Sequence, residues 1–359
     1  MAYSRILIIR LSSAGDIVLT FPAFFYLSDK FPEASIDWVV DARFSPLLDL
    51  LPGVNKKIVF PGKTLKDKSK SLSERFSALR LFLGGLRAEK YDISIDFQGL
   101  FKSGSIAFAS RSKKRFSFKP GGHDSREMNH LFQTDLIDPE KPFIEGLSTK
   151  ISHRSLMLAS KAAGGDIQKT PIKLQIPTED REKAASFFNE ARKKFEFDKV
   201  IVLNPFTNWA TKTWPVEKWI ELIKLSRRDP RFLKTLFVLL WGPAELAAAE
   251  KIAADAGSGT TLSPPTTLRE VFAVLDRADL AVSGDSFALH AAYVLGKPTV
   301  AIFGASDPLR CAPYGEKAET VTLKLPCQHC FKKTCRLNTN ACIRDIDAGA
   351  VLESMIKLI

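Results

Sequence analysis

Two successive runs of alternating strand-like and helix-like segments limit how this chain can fold. The strand-like segments of the first run are residues 5–10, 35–40, 56–60 and 91–97. Those of the second run are residues 199–203, 235–241, 280–283 and 299–303. Strands that alternate with helices are typical of a mostly parallel sheet with helices packed on its faces. The pattern therefore predicts an α/β protein in which this arrangement occurs twice.

The segment between the two runs indicates a domain linker. Residues 167–177 contain two prolines and follow Gly164-Gly165-Asp166, a typical helix end. A length of 359 residues also suits two domains. We therefore predict two doubly wound, Rossmann-like domains, residues 1–170 and 178–359, that face a central cleft. Ligands of such folds bind at the carboxyl ends of the strands.

The charge of the chain favours anionic partners. Lys and Arg number 52 against 40 Asp and Glu, a net charge of +12, and positive residues cluster at 63–70 and 111–115. Nucleic acid, phosphorylated metabolites and anionic lipid all suit such a surface, although a solvated, lysine-rich surface gives the same count. No run reaches the roughly 18 apolar residues of a membrane span. The first residues lack the order of a signal peptide, so we expect a cytoplasmic protein.

Four loops of small and polar residues follow strand-like segments. They are residues 12–16, 204–215, 283–290 and 303–308. Helix N-termini in such loops favour anions, and a lysine there can neutralise a diphosphate. Each loop also has a structural interpretation, because Asp and Ser commonly cap helices and a histidine on an apolar helix is usually a core residue. The single Gly15 of the first loop does not match the dinucleotide fingerprint G-x-G-x-x-G.

A cluster of four cysteines lies near the end of the chain. Cys327, Cys330, Cys335 and Cys342 have the spacing C-x2-C-x4-C-x6-C. Four thiolates at such spacing can hold a structural zinc or iron ion, and His329 could replace one of them. The alternative is four reduced cysteines that pack a short loop, because disulfides are disfavoured in the cytoplasm. The cluster is far along the chain from the other loops, so we assign it no catalytic role.

An ordered set of motifs resembles glycosyltransferase family 9, the ADP-heptose:lipopolysaccharide heptosyltransferases. The motifs are IIRLSSAGDIVLTFPA, IDFQGLFKSG, NPFTNWATKTWPVEKW, WGPAE, GDSFALHAAYVLGKPTVAIFGASDP and the cysteine-rich tail. The resemblance extends over nearly the whole chain. It implies a GT-B fold and an inverting transfer of heptose from a nucleotide sugar to the lipopolysaccharide inner core. It also implies that catalysis needs no cofactor.

The resemblance also implies roles for individual residues. Asp16 matches the carboxylate that removes the proton of the acceptor hydroxyl, and Lys212 matches the lysine that stabilises the leaving diphosphate. The other donor-binding candidates are Thr207, Asn208, Glu245, Asp285, Ser286, His290 and Gly304. The acceptor-binding candidates are Ser13, Gly15, Gln98, Lys102 and Arg126. Gln98, Lys102, Arg126 and the two basic clusters suit an anionic, lipid-linked acceptor such as Kdo on lipid A or a heptosylated core, with peripheral contact to the inner membrane.

One departure from the family pattern leaves alternatives open. The family has glycine after Asp-Ser, where this chain has Phe287, so a different donor sugar or a protein acceptor is the first alternative. A non-catalytic protein that binds anions or nucleic acid is the second. The chain lacks interleaved aromatic and basic residues, so we predict no nucleic-acid partner. We identify neither the carboxylate pair of a nucleotide-sugar epimerase nor the glycine fingerprint of an NAD(P) enzyme.

Overall fold

The chain divides into two compact units, Met1–Gln175 and Ile176–Ile359. The computed structural model describes residues 3–120, 125, 127–138, 150–167 and 170–359. Each unit contains a six-stranded sheet in which the strands pair in parallel. The predicted pair of doubly wound α/β folds is therefore confirmed. The boundary between the units falls inside the proline-containing segment 167–177.

The first unit alternates strands and helices as the sequence pattern predicts. Its strands are β1 Arg5–Ile9, β2 Ser35–Asp41, β3 Val54–Phe60, β4 Ile93–Asp96, β5 Lys114–Phe118 and β6 Asp135–Ile137. Its α-helices are α1 Ala14–Val18, α2 Phe21–Lys30, α3 Gly62–Lys66, α4 Leu72–Arg87, α5 Phe101–Ala109 and α6 Ile151–Ala162. Two 3-10 helices span Ala42–Leu50 and Asn129–Phe132. The strand order is β3-β2-β1-β4-β5-β6.

Helices α4 and α5 cover one face of the first sheet. Phe82 and Leu86 of α4 and Ile106 of α5 share a buried cluster with Leu7 and Ile9 of β1. Burial of such side chains contributes about 1.5–3 kcal/mol each. Helix α4 starts at Ser71, whose hydroxyl accepts the N–H of Glu74 while the Glu74 carboxylate accepts the N–H of Ser71. This capping box fixes where the helix begins.

The second unit repeats the topology of the first. Its strands are β7 Lys199–Asn204, β8 Thr235–Leu239, β9 Thr260–Leu262, β10 Leu280–Gly284, β11 Thr299–Phe303 and β12 Ala318–Thr322. Its α-helices are α7 Thr178–Lys194, α8 Val216–Ser226, α9 Leu246–Ala256, α10 Glu270–Asp276, α11 Phe287–Val294, α12 Pro308–Cys311, α13 Ala341–Arg344 and α14 Ala348–Ile356. Two 3-10 helices span Ala210–Lys212 and Pro230–Phe232. The strand order is β12-β11-β10-β7-β8-β9.

In both units the first and fourth strands are neighbours at the centre of the sheet. The pairs are β1 with β4 and β7 with β10. The strand order reverses at these pairs, so the loops that follow them diverge and leave a crevice at the carboxyl edge. The candidate loops 12–16, 204–215 and 283–290 all follow one of these central strands. The fold thus places three of the four candidate loops at switch points.

The apolar stretch 17–27 does not form one helix, because α1 ends at Val18 and α2 begins at Phe21. Tryptophans Trp214 and Trp219 both pack in the core of the second unit, with ring centroids 5.1 Å apart. Of the helices that the structure describes, none has the length and apolar character needed to cross a membrane.

Candidate active-site loops

Asp16 is held in a fixed orientation in the loop after β1. Its Oδ2 accepts hydrogen bonds from the backbone N–H of Ser13 at 3.1 Å and from the Ser13 hydroxyl at 2.8 Å. Its Oδ1 lies 2.9 Å from the guanidinium of Arg10, whose side chain is 11% exposed. The Asp16 side chain is still 32% exposed. The carboxylate is therefore both oriented and open to a substrate hydroxyl, as a general base must be.

Gln98 connects the loop after β4 to the loop after β1. Its side-chain oxygen accepts the backbone N–H groups of Leu11 and Ser12, at 3.0 and 3.1 Å. Its own N–H donates to Asp96 at 2.9 Å. Asp96 is fully buried, and burial raises the pKa of its carboxyl although several N–H groups donate to it. Gln98 thus orders the Asp16 loop, and its contact with an acceptor stays a prediction.

The remaining acceptor-binding candidates are Ser13, Gly15, Lys102 and Arg126. Ser13 is the N-cap of α1, and Gly15 lies within that helix. The Nζ of Lys102 is 5.1 Å from the ring centroid of Phe60. Partial burial, with help from the charge of Lys66, lowers the pKa of Lys102. Arg126 lies outside the described residues.

A buried charged cluster joins the loops after β7 and β10. The Nζ of Lys212 lies 2.5 Å from Oδ2 of Asp285, and Nε2 of His290 lies 3.5 Å from Oδ1 of the same carboxylate. The side chains of Lys212, Asp285 and His290 are 16%, 7% and 7% exposed. Three of the residues assigned by resemblance to the donor therefore meet at one switch point.

The electrostatics of this cluster keep Asp285 ionised. Burial acts to raise the pKa of Asp285, but the hydrogen bond from His290 and the positive charge of Lys212 outweigh it. The pKa therefore lies well below the usual range of a carboxyl group. His290 is buried, and its Nδ1 has no hydrogen-bond partner within the described ranges. Its Nε2 contact with Asp285 places it beside the charged cluster as well as in the core.

Asn204, at the end of β7, ties the two loops together. Its amide nitrogen donates to the hydroxyls of Ser283 at 3.1 Å and Ser286 at 3.0 Å, and to the Phe206 carbonyl at 3.0 Å. Ser286 is the N-cap of α11 and accepts the N–H of Leu289. Ser286 therefore lies next to the helix N-terminus, where N–H groups favour an anion.

The other donor-loop candidates make contacts within their own segments. The hydroxyl of Thr207 lies 2.8 Å from that of Thr213 and donates to the Trp209 carbonyl at 2.9 Å. Asn208 is exposed. Glu245 follows β8, and its carboxylate accepts the N–H of Gly242 at 2.7 Å. These bonds fix the loops, and donor contacts at the same residues stay predictions.

Two glycines allow the loops to pack closely. A Cβ at Gly284 would lie 2.9 Å from the carbonyl oxygen of Lys212. A Cβ at Gly304 would lie 2.8 Å from both the Thr211 carbonyl oxygen and Cβ of Ile343. The structure therefore explains Gly304 by protein packing, and approach of a ligand at this residue stays a prediction.

The cysteine-rich segment packs against the Lys212 loop despite its distance along the chain. The hydroxyl of Thr211 donates to the carbonyl of Lys332 at 2.6 Å, and the Phe331 N–H donates to the Ala305 carbonyl at 2.9 Å. Two lysines lie beside the ring of Trp209: the Nζ of Lys212 is 4.3 Å from the ring centroid, and the Nζ of Lys333 is 5.7 Å from it. This segment therefore brings a second cation to the candidate donor site.

The four clustered cysteines influence one another's pKa values, and a metal ion bound to them stays a prediction. Backbone N–H groups, that of Asn340 foremost, lower the pKa of Cys335 to about 7. Burial and the neighbouring thiols raise the pKa of Cys342. Yet no group of three or more His, Cys, Asp and Glu side chains within the described ranges is arranged to hold a metal ion.

Phe287 packs against its own unit. Its ring centroid lies 5.9 Å from that of Phe272 on α10, in an edge-to-face arrangement. This contact accounts for a bulky side chain where the family pattern has glycine.

Sequence reasoning missed several residues that order these loops. They are Arg10, Asn204, Trp209, Ser283 and Lys333. Four of them stand in or beside motifs that the sequence singled out: Arg10 in IIRLSSAGD, Asn204 and Trp209 in NPFTNW, and Ser283 just before GDSF. Lys333 gave no signal, because only the folded chain brings the cysteine-rich segment to Trp209.

Two doubly wound units with charged loops at their switch points define an α/β enzyme of the GT-B architecture. The family model described as glycosyltransferase family 9 (heptosyltransferase) matches residues 80–341. The chain belongs to this family and is therefore a glycosyltransferase.

Individual relatives agree with this assignment. Lipopolysaccharide heptosyltransferase 1 of Pseudomonas aeruginosa is 27% identical over 332 residues, which is 92% of this chain and 87% of that protein. The solved structure of E. coli heptosyltransferase WaaC with ADP has a TM-score of 0.76 at 24% identity, over 99% of this chain and 100% of that one. A family 9 glycosyltransferase from Veillonella parvula has a TM-score of 0.82 at 20% identity, over 100% and 98%. The structural likeness confirms the fold.

Proposed function

We propose that this enzyme transfers heptose from ADP-heptose to a lipopolysaccharide inner-core acceptor, such as Kdo on lipid A or a heptosylated core. The relative named lipopolysaccharide heptosyltransferase 1 supports heptose as the transferred sugar and lipopolysaccharide as the acceptor. The solved heptosyltransferase with ADP supports the nucleotide of the donor. The observation that carries the chemistry is the Asp16 carboxylate, which three donor groups orient while a third of its side chain stays exposed. That combination suits a base that must meet an incoming hydroxyl.

The reaction is a single displacement with inversion. The acceptor hydroxyl oxygen bonds to the anomeric carbon of the heptose while the bond from that carbon to the diphosphate oxygen breaks. Asp16 accepts the hydroxyl proton, and ADP leaves with the bonding electron pair. Because the hydroxyl becomes strongly acidic only as the new bond forms, an ionised carboxylate is basic enough for this step.

Lys212 stabilises the negative charge that develops on the leaving diphosphate. An ammonium group has three N–H donors, and the contact with Asp285 uses one of them. The remaining donors serve the phosphate oxygens. The N–H groups at the start of α11 and the nearby Lys333 add positive potential. This set supports catalysis without a cofactor.

A structural metal ion is a separate proposal. We propose that zinc or iron binds to Cys327, Cys330, Cys335 and Cys342, all four of which are free thiols in this structure. Their spacing supports the proposal, and the ion takes no part in the transfer reaction.

A lipid-linked acceptor also supports peripheral contact of this cytoplasmic enzyme with the inner membrane. Such an acceptor leaves its lipid in the bilayer, so the enzyme must approach the membrane surface to reach the sugar. The protein is expected to bind nucleotide sugar and anionic lipid-linked oligosaccharide, and not nucleic acid.

The test measures acceptor-dependent ADP release from ADP-heptose with Kdo-bearing lipid A, beside ADP-glucose and UDP-glucose as donors. Asp16→Ala is compared with Glu89→Ala, a matched control. Glu89 also pairs with an arginine at 2.9 Å and is also 32% exposed. We expect Asp16→Ala to lower kcat by about 10²–10⁴-fold and Glu89→Ala to leave it within about two-fold, as for an ordinary surface pair.

Each outcome bears on a different part of the proposal. Equal activity of the two variants would remove Asp16 as the base and leave the transferase assignment intact. Release of nucleotide from a glucose donor, and not from ADP-heptose, would show that glucose and not heptose is the transferred sugar. No release from any donor, with ADP bound at micromolar affinity, would reject the transfer reaction with this acceptor.

A further inference from the structure

We propose that the outer surface of α4, α5 and the 3-10 helix Asn129–Phe132 docks on an anionic lipid bilayer. We call it the α4–α5 surface. The inference deepens the proposed function, since it rests on a lipid-linked acceptor and assigns the membrane contact to particular residues. Four features of the first unit carry it: its layering, its exposed apolar side chains, their continuity and its charge.

The layering turns one side of these helices to solvent. The inner sides of α4 and α5 carry Phe82, Leu86 and Ile106, which pack on β1. Within the described residues the other side of α4 is largely exposed. The other side of α5 is covered in part by the 3-10 helix Asn129–Phe132, whose Phe132 packs on Phe101. An outer helical side is normally polar.

This outer side is instead rich in apolar groups. Of the twelve large apolar side chains that stand out as exposed within the described ranges, seven lie on or directly beside these three helices. They are Leu72, Phe76, Leu81, Phe101, Phe108, Met128 and Leu131. Three of them are 82%, 68% and 74% exposed, all on α4: Leu72, Phe76 and Leu81. Exposed apolar side chains that cluster in this way mark an interaction surface.

The three helices form one continuous surface. The ring of Phe132 lies 5.0 Å from that of Phe101 and 6.3 Å from that of Phe108, between ring centroids. The guanidinium of Arg87, at the end of α4, donates to the Ala109 carbonyl at the end of α5, at 3.0 Å. A groove of about 300 Å³ runs along α4 and is lined by Phe76, Leu79, Arg80, Leu83, Gly84 and Arg87.

The charge of the same region selects the partner. Residues 62–119 contain 14 Lys and Arg against 5 Asp and Glu, a surplus of nine out of the twelve net positive charges of the chain. Exposed lysines precede α4 at Lys63, Lys66 and Lys68, and Arg111 and Lys114 follow α5. Apolar side chains among cations match the interface of a bilayer that contains anionic lipids.

Other occupants fit less well. A second copy of the chain placed on this surface would bring two strongly positive regions together, which repel each other. Single-stranded nucleic acid binds through aromatic platforms, whereas Leu72, Leu81 and Leu131 offer no ring for a base to stack on. A bilayer accepts aliphatic and aromatic side chains alike.

The experiment is sedimentation of the whole protein with vesicles. Vesicles of phosphatidylethanolamine and phosphatidylglycerol are compared with vesicles of phosphatidylcholine at low and high salt. The variant Phe76→Ser/Leu81→Ser removes two exposed side chains from α4. Its control, Leu233→Ser, removes a side chain of the second unit that is as exposed as Phe76. A charge variant, Lys68→Gln/Arg80→Gln, removes two cations from the surface.

We expect binding to anionic vesicles that weakens with salt. The partition coefficient should fall by about ten-fold or more in Phe76→Ser/Leu81→Ser and by about five-fold for each cation removed. The matched control should bind as the unchanged protein does. Transfer to a water-soluble acceptor sugar without lipid should be equal in all variants, so a failure of docking is distinguishable from a failure of the reaction.

Several results would overturn the proposal. Equal binding of both serine variants would show that α4 is not at the bilayer. Binding that is the same on phosphatidylcholine and at high salt would reject the role of the cations. A dimer that dissociates only in Phe76→Ser/Leu81→Ser would assign the surface to a second copy, and salt-dependent binding of RNA without vesicle binding would assign it to nucleic acid.

Discussion

Removal of the negative charge of Asp285 should cost both stability and activity, and the two losses should separate in a double variant. Lys212 and Asp285 lie 2.5 Å apart and are only 16% and 7% exposed. At an effective dielectric constant of about 20 their attraction is roughly 7 kcal/mol, against which stands the desolvation of both charges. Asp285→Asn leaves the ammonium of Lys212 partly buried without its counter-charge, with the Trp209 ring centroid 4.3 Å away.

The expected loss can be sized from these contacts. Breaking a buried ion pair by removing one partner costs about 3–5 kcal/mol. The Trp209 ring already lies beside the cation in the unchanged protein, so it offsets none of this loss, and we expect a loss of about 3–5 kcal/mol. In a unit of this size that corresponds to a fall in Tm of about 6–20 °C. Differential scanning calorimetry measures the transition, and ADP release measures the reaction.

The double variant Lys212→Met/Asp285→Asn separates the two roles. Removing both charges leaves no uncompensated ion, so most of the lost stability should return. Activity should stay lower by about 10²–10³-fold, because the leaving diphosphate lacks its lysine. Recovery of kcat in the double variant would refute Lys212 as the group that stabilises the leaving charge. A loss below about 1 kcal/mol in Asp285→Asn would refute the pair as a stabilising contact.

Three further predictions follow from the same unit. Gly284→Ala places a Cβ 2.9 Å from the Lys212 carbonyl oxygen. The affinity for ADP, measured by calorimetry, should therefore fall, and the free energy of unfolding should drop by about 1–3 kcal/mol. Unchanged affinity would contradict the close packing. The pKa of Asp285 is depressed in the folded protein. The stabilising effect of its carboxylate is therefore present above about pH 4 and is lost as the pH falls. Between pH 6 and pH 3 the Tm should decline more steeply in the unchanged protein than in Asp285→Asn. Elemental analysis should find about one zinc or iron ion per chain, and an equal metal content in a variant with serine at all four positions from Cys327 to Cys342 would reject the cysteine site.

Much of the fold could be predicted because buried parallel strands are continuous apolar runs. Strand β11, Thr299–Phe303, has the bounds that its pattern predicts. The strands that the pattern missed include β6 and β12, which lie at the edges of their sheets. Each pairs on one side only and is partly exposed, with polar residues among the apolar ones. Edge strands therefore lack the apolar signal that identifies central ones.

The candidate site could be predicted residue by residue but not as an arrangement. The loops that carry Lys212 and Asp285 were each recognisable as polar turns after a strand. Their contact depends on the pairing of β7 with β10, which no local pattern specifies. Arg10 was read as the end of an apolar strand, and only its ion pair with Asp16 reveals its part in the loop.

The identical strand order of the two units has a consequence for how such enzymes diversify. Each unit encloses its own apolar cluster and presents charged loops at its own switch point. A change in one half therefore leaves the packing of the other half intact. Recombination within the proline-containing segment 167–177 should yield chimaeras in which one substrate preference is inherited from each parent. Under the proposed assignment of acceptor binding to the first unit and donor binding to the second, acceptor and donor choice are separable traits that can drift or be selected independently.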